Sequence, residues 1–440
     1  MPSCLFANPV SNANILVRYF KDRGVDCYAI IELDKVARIP KLNAKKKDEF
    51  QAELYKGIFT CEDQLPPAES GLFDAVLPGS ENGVFLAEKL AARYSLPGND
   101  PATSCRRRHK DQMQCSLAAA DLASIPTTVI NGREGVQSAM SQWEHYPCIL
   151  KPRSSAGGEG VQRCNSPDEL QQALENASWD MFSATWTVND HFLLQPMIQG
   201  PEYVVDLVAC AGTYVISSVC RYIRTDELDI AGCDFVKKFT FMLPLDAPVS
   251  KALSDYAKRA ARALDVTYGA VHMELIMDEN GPVMIEAGAR MHGTITPKLF
   301  SECYDSSLLA QLYEAYFGDS CNLRDAVLLA PAVVSDVICI ETGICSISES
   351  LLEQTVTGLM SLKGYACAIG EGDEYVVTYN LFSSPMNACF CDIDTDQLWA
   401  DVTAFDRMAE RLMGGVAFSE DDWRSIRRIY EGYLAVEAPG

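Results

Sequence analysis

The sequence predicts an α/β protein: a parallel sheet at the N-terminus, a central region built on hairpins, and a C-terminal α+β region. Three observations lead there. Over roughly the first hundred residues, short apolar runs alternate with helical segments, the signature of βαβ units. Near the middle, runs that alternate apolar and polar residues with a period of two flank tight turns, the signature of hairpins. Toward the end, strand-like and helix-like segments mix again. A length of 440 residues allows two or three domains, and the boundaries expected are 1–103, 104–322 and 323–440.

In chain order, residues 5–7 form a short apolar strand, and Ser11 or Asn12 can cap a helix ending at Gly24. Residues 25–31 are a second strand. A third, 73–78, opens into Gly79-Ser80-Glu81-Asn82-Gly83 before another helix. No Gly-x-Gly-x-x-Gly follows the first strand, so no dinucleotide fingerprint is present. In the third region, strands are expected at 333–340 and 375–381, and helices near 395–412 and 421–434. No low-complexity linker or internal repeat separates the regions, so they are expected to pack against one another.

Composition narrows the function classes. The chain is 48% hydrophobic and 22% charged, as ordinary globular proteins are. Its formal charge of −23 argues against binding duplex nucleic acid or an anionic membrane surface. A local basic cluster can still hold phosphates, and one basic run stands out, Arg106-Arg107-Arg108-His109-Lys110. The seventeen cysteines contain no Cys-x-x-Cys, and most lie in apolar stretches where a thiol is a small buried hydrophobe. Neither a basic n-region nor an apolar run of membrane-spanning length is visible. A reducing, cytosolic setting is expected.

The most informative segment runs V-H-M-E-L-I-M, the turn Asp278-Glu279-Asn280-Gly281, then P-V-M-I-E-A-G-A-R. With a three-residue loop Glu279-Asn280-Gly281, Glu274 falls opposite Glu286. Val271, Met273, Leu275, Val283 and Ile285 then share the buried face, and His272, Glu274, Glu286 and Arg290 the other. A two-residue Asn280-Gly281 turn would separate the glutamates. Two carboxylates directly opposite repel by about 3 kcal/mol at ~5 Å and an effective dielectric of ~20. A divalent cation reverses that sign, and oxygen ligands suit magnesium held with nucleotide phosphates. The alternative is a solvent-facing hairpin side with hydrated glutamates.

Residues 148–152 (C-I-L-K-P) read as a strand ending in Lys151. Arg153-Ser154-Ser155-Ala156-Gly157-Gly158-Glu159-Gly160 follows, then a short strand, 161–164. Ser166, Pro167 and Glu169 open the next helix as cap, first residue and capping box. A small-residue loop between two strands is not a Walker loop, which joins strand to helix. It can fold over a triphosphate and present backbone N–H groups, with Lys151 adding charge; a merely mobile loop is the other reading. Further on, F-L-L-Q-P-M-I-Q-G-P-E-Y reads as strand, turn, strand. Its backbone at Pro196, Met197 and Ile198 can face an adenine and Glu202 a ribose, or the segment is an ordinary turn.

Taken together, Arg108-His109-Lys110-Asp111, the Lys151 flap, the hinge from Gln195 to Glu202, and Glu274, Glu286 and Arg290 resemble, in this order, the motifs of the ATP-grasp superfamily. F-D-A-V-L-P-G-S-E-N-G-V and L-P-G-N resemble the Rossmann-like domain preceding ATP-grasp in carboxylate–amine ligases. The resemblance covers about residues 4 to 320, and I-E-A-G-A-R is most similar to the L-amino-acid ligases that make dipeptides, often for peptide antibiotics. It implies an ATP-grasp fold whose core carries a flap-bearing subdomain at about 125–195, with ATP and Mg2+ (or Mn2+) as cofactors.

By the same resemblance, Lys110 and Lys151 contact ATP phosphates, and Ser154, Ser155, Gly157, Gly158, Gly160 and Val161 close over them. Gln195, Pro196, Met197 and Ile198 frame the adenine, Glu202 bonds the ribose, and Glu274 and Glu286 hold the metal. Arg290 meets the transferred phosphate. Many members carry glutamate in place of Gln195, and asparagine in place of Gly288. The implied reaction joins a carboxylate, an L-amino acid or derivative, to an amine, that of an amino acid, through an acyl phosphate, giving a dipeptide or amide. Small-molecule acid and amine are the partners implied, with no nucleic acid or membrane; dimers are common in the resembled group. His272 is a candidate general base or an orienting residue. Ser80, Glu81, Asn82, His292 and Gly293 are candidates for holding substrate. The rivals are another ATP-grasp reaction (a carboxylase or a D-alanine–D-alanine-type ligase) and a nucleotide-binding scaffold without catalysis.

Overall fold

The computed structural model describes residues 1–10, 12–32, 35, 50–183, 185–230, 232 and 235–435. Its first sheet is parallel, in the order Gly57–Phe59, Asp26–Ile30, Ser3–Ala7, Ala75–Pro78. Ser3–Ala7 is buried at every position, which is why it reads as a continuous apolar run rather than an alternating one. Gly57–Phe59 escapes sequence reading because three residues carry no period. Asn12 makes no side-chain cap on the helix Ala13–Lys21. Its amide instead donates to the His292 carbonyl at 2.5 Å, pinning the N-terminal region to the cavity. Ser11, the other expected cap, lies outside the described residues.

Two antiparallel sheets follow. The smaller has the order Thr128–Asn131, His191–Pro196, Cys148–Pro152, Gln162–Cys164. Its last hairpin carries the glycine-rich loop. Ser166 caps the helix Pro167–Asn176 by accepting from the Glu169 N–H, as expected. Glu169 does not close the box on Ser166, because its carboxylate is taken by the Asn165 N–H and side-chain amide at 2.8 and 2.9 Å.

The larger sheet has eight strands, beginning with Gly281–Gly288, Gly269–Asp278, Glu202–Cys210, Thr213–Arg224 and Lys237–Leu243. Ala332–Asp336, Met386–Cys391 and Leu362–Cys367 continue it, so the third region lengthens the central sheet instead of building a large one of its own. The helices Thr395–Met413 and Glu420–Leu434 cover it with Trp399, Phe405, Trp423 and Tyr430. Gly414, at φ +57°, stops the first of them in the left-handed conformation that favours glycine. The strand expected at 375–381 is reduced to Glu374–Tyr375. Asn380 and Ser383 cap each other in a 3-10 turn, and that local bonding wins over a ladder. Likewise, the strand expected at 333–340 ends at Asp336.

Of the basic run, Arg107, Arg108 and Lys110 are buried and paired, while Arg106 is exposed. Arg107, 1% exposed, bonds both Glu88 oxygens at 2.6 and 3.0 Å and the carbonyls of Asp100, Leu264 and Asp265 at 2.7–2.9 Å. It thereby ties the N-terminal helix Val84–Arg93 to the end of the helix Pro248–Ala263. Removing one partner of a buried pair leaves the other charge unpaired, at a cost of about 3–5 kcal/mol. Glu88→Ala is therefore expected to lower unfolding stability by about that amount in urea titration; a loss under about 1 kcal/mol would contradict the clamp.

Candidate active site

Glu274 lies directly opposite Glu286, but the route differs from the expected three-residue loop. The turn has two residues, Glu279 and Asn280, closed by Asp278 opposite Gly281 at φ +124°. The missing offset is supplied by a β-bulge: Glu274 faces Glu286 while Leu275 faces Met284, leaving Ile285 as the extra residue. The bulge also corrects the expected faces. Met284, not Ile285, joins Val271, Met273 and Leu275 in the core, and Ile285 turns into a cavity of about 240 Å3.

Each glutamate has a neighbour able to carry positive charge. Lys110 Nζ lies 3.0 Å from Glu286 and donates to the Ser155 carbonyl at 3.1 Å, joining the hairpin to the loop. His272 Nε2 lies 3.5 Å from Glu274. Burial works to raise the Glu274 pKa, yet His272, Arg290 and Lys110 together hold it below the ordinary carboxylate value. Lys151, also buried, is pulled down to about 8 by desolvation and by Lys110. Burial and Glu274 push Glu202 up to about 7, although Arg224 bonds it at 2.9 Å.

Three walls enclose the cavity. Lys151, Ser155, Gly157, Gly158 and Val161 come from the flap hairpin. Gly157, Gly158 and Gly160 have φ of +65°, +78° and +72°, a run of left-handed backbone that explains the glycines. Gln195, Pro196, Met197, Ile198 and Glu202 come from the hinge, where the Met197 N–H is already donated to the Pro147 carbonyl at 3.0 Å. His272, Glu274, Glu286, Arg290, His292 and Gly293 complete the third wall. Lys110, Ser154 and Gly160 are not among the cavity's lining residues.

Ser80, Glu81 and Asn82 do not line the cavity either; their polar groups are spent on the fold. Ser80 donates to the Asn8 carbonyl at 2.9 Å, and Asn8 donates to the Asn82 carbonyl at 3.1 Å. Glu81 is held between Arg108 and Arg290, with Arg290 Nε at 2.8 Å. This arrangement accounts for Gly288. A Cβ there would lie 2.6 Å from Glu81 Oε2 and 3.3 Å from the Arg290 guanidinium carbon, so a side chain would break the Glu81–Arg290 pair.

Several site residues escape sequence reading. Asp206 accepts from His272 Nδ1 at 3.0 Å, His292 Nδ1 at 2.8 Å and Ser218 at 2.8 Å. Against its burial, the two imidazoles keep Asp206 well below the usual carboxylate range. Asp206 raises the His272 pKa against burial, while burial wins at His292 and lowers it to about 4. Asp206 sits in the strand Glu202–Cys210, where only its place opposite His272 betrays it. Tyr379, Asn380 and Leu381 reach the cavity from the C-terminal region, and the Leu381 N–H bonds the Gly157 carbonyl at 3.2 Å. No motif marks them.

The chain's likenesses agree with this geometry. A family model described as an ATP-grasp domain matches residues 144–298. Dapdiamide A synthase of Enterobacter agglomerans is 30% identical over 261 residues, 59% of each chain. A D-alanine–D-alanine ligase of Corynebacterium urealyticum is 24% identical over 216 residues, 47% of this chain and 56% of that protein. The chain thus spans less than two thirds of either relative. Among solved structures, an L-amino acid ligase from Bacillus licheniformis superposes with a TM-score of 0.69 at 15% identity, covering 95% of this chain and 99% of that one. N5-carboxyaminoimidazole synthetase from Staphylococcus aureus, complexed with ADP, superposes at 0.63 and 12% identity, covering 93% and 98%. With lysine, glycine flap, hinge and paired glutamates around one cavity, the chain carries an ATP-grasp domain over residues 144–298 and shares its overall fold with these solved structures.

Proposed function

We propose that this chain is an ATP-dependent ligase that activates a carboxylate, an L-amino acid or derivative, as an acyl phosphate and passes it to an amine, giving a dipeptide or amide with ADP and phosphate. One observation carries the reading: Lys151, the flap, the glutamate pair, Arg290 and the hinge line a single cavity. The likeness to dapdiamide A synthase and to an L-amino acid ligase supports it.

The donor set fits a hard divalent cation, since Glu274 and Glu286 are paired carboxylates facing a nucleotide-sized space. Magnesium, when bound there, would neutralise phosphate charge. Lys110 and Lys151 then balance the remaining phosphate charge, and the flap's backbone N–H groups follow the transferred group. Arg290, oriented by Glu81, offers a guanidinium to the phosphate acceptor and to the oxyanion formed on amine attack. The Leu381–Gly157 bond holds the flap down, which keeps water from the acyl phosphate. His272 is committed to Asp206 through Nδ1 and turned to Glu274 through Nε2, an arrangement that favours an orienting role over that of general base.

The test is phosphate release from Mg-ATP against pairs of L-amino acids, with products read by mass. Release only with a pair, and a product one water lighter than the pair, is the expected result. Glu286→Gln is expected to lower turnover by at least about a hundredfold with ADP binding retained. No turnover with any pair while ATP still binds would sink the dipeptide reading. A second expectation concerns pH. Lys151 binds phosphate only when protonated, so its charge is present below pH 8 and lost above it. From pH 7 to pH 9 the charged fraction falls about tenfold, and ATP affinity should follow. Lys151→Arg, whose guanidinium stays charged, should flatten the profile; an unchanged slope would remove Lys151 from the phosphate site.

A further inference from the structure

A chain of directional hydrogen bonds runs from the metal hairpin to the hinge. Gln114, buried on the helix Lys110–Ala119, donates its amide N–H to the Met284 carbonyl at 2.9 Å. Its amide oxygen accepts from the Ile125 N–H at 2.7 Å. A carbonyl can only accept and a backbone N–H can only donate, so Gln114 has one permitted orientation. The Ile125 carbonyl accepts from the Thr127 hydroxyl at 2.8 Å, which commits the single hydroxyl hydrogen of Thr127. Thr127 Oγ1 is therefore an acceptor toward Gln195, whose amide nitrogen lies 2.7 Å away. Each backbone group fixes the polarity of the side chain bonded to it, and Gln195 is left with its nitrogen turned to Thr127.

Gln195 pairs with Ile149 across the small sheet, and both line the cavity, as Lys151 does two residues on from Ile149. The Gln195 side chain thus stands on the cavity face, buried, and Oε1 has no hydrogen-bond partner among the described residues. It is an acceptor waiting at the hinge.

We propose that Thr127 is a positioning residue that selects the nucleobase: through Gln195 it presents a fixed acceptor, so the site takes a purine with a 6-amino group and rejects one with a 6-oxo group. Adenine offers an N–H donor at that position, whereas a 6-oxo purine offers a second acceptor and leaves Oε1 facing a lone pair. A freely turning glutamine would serve either base. Thr127 removes that freedom without touching the nucleotide. The inference rests on the reading that a purine nucleotide occupies this cavity.

The experiment compares binding of ADP and IDP, which differ at the 6-position and the adjacent ring nitrogen, by calorimetry on the wild type, Thr127→Val and Thr127→Ser. The wild type is expected to prefer ADP by well over about tenfold, because a polar site built for one partner rejects its mismatch strongly. Thr127→Val, which keeps the shape and loses the acceptor, should narrow that ratio by about tenfold or more, chiefly by strengthening IDP. Thr127→Ser should keep the wild-type ratio. Equal wild-type affinities, or a Thr127→Val protein with a wild-type melting temperature and an unchanged ratio, would overturn the proposal while leaving the ligase reading intact. Absence of binding by either diphosphate to the wild type would overturn both.

Discussion

Two carboxylates set directly opposite on neighbouring strands are the constraint around which the cavity is organised. Glu274 and Glu286 repel each other, and both strands pack their other face into the main core, so the hairpin cannot slip to relieve the strain. The bulge at Ile285 holds them in register despite a two-residue turn that would otherwise offset them. Basic neighbours make the arrangement tolerable: Lys110 against one carboxylate, and His272, whose pKa is raised, against the other. Those basic groups are held in turn by Ser155 of the flap and by Asp206, which connects the pair to the loop over it and to the neighbouring strand.

The N-terminal and C-terminal regions reach this centre by different means. From the N-terminus, Glu81 enters between Arg108 and Arg290 and fills the space a side chain at Gly288 would need. Gly288, where the resembled family commonly has asparagine, is thus matched by a carboxylate from the N-terminal region. From the C-terminus, residues 379–381 line the cavity and bond the flap, because the third region extends the central sheet and brings its loops to the same edge. Arg107 fixes the N-terminal helix so that Glu81 arrives in place.

Much of this was legible in the chain, and what was not has physical reasons. Period-two alternation around a Gly-containing turn located the glutamate hairpin, and the lysine–glycine loop and hinge were visible as punctuation between apolar runs. The bulge was not visible: either loop length is compatible with the residues, and only packing decides that Met284 is inside. Glu81 was legible as an acidic loop residue, yet its partners lie 27 and 209 positions away, a pairing no local pattern encodes. Asp206 sits in an apolar strand with no neighbour in sequence to explain it. Tyr379, Asn380 and Leu381 were read as strand, and a side-chain cap at Asn380 turned them into a cavity wall.

The central claim is that the glutamate pair holds a divalent cation together with the nucleotide. Electron paramagnetic resonance of Mn2+ titrated into the protein with ADP tests it directly. The account predicts a protein-bound Mn–ADP signal in the wild type that disappears in Glu274→Gln and Glu286→Gln while calorimetry still detects ADP. A wild-type spectrum no different from Mn–ADP in buffer, with ADP bound, would contradict it.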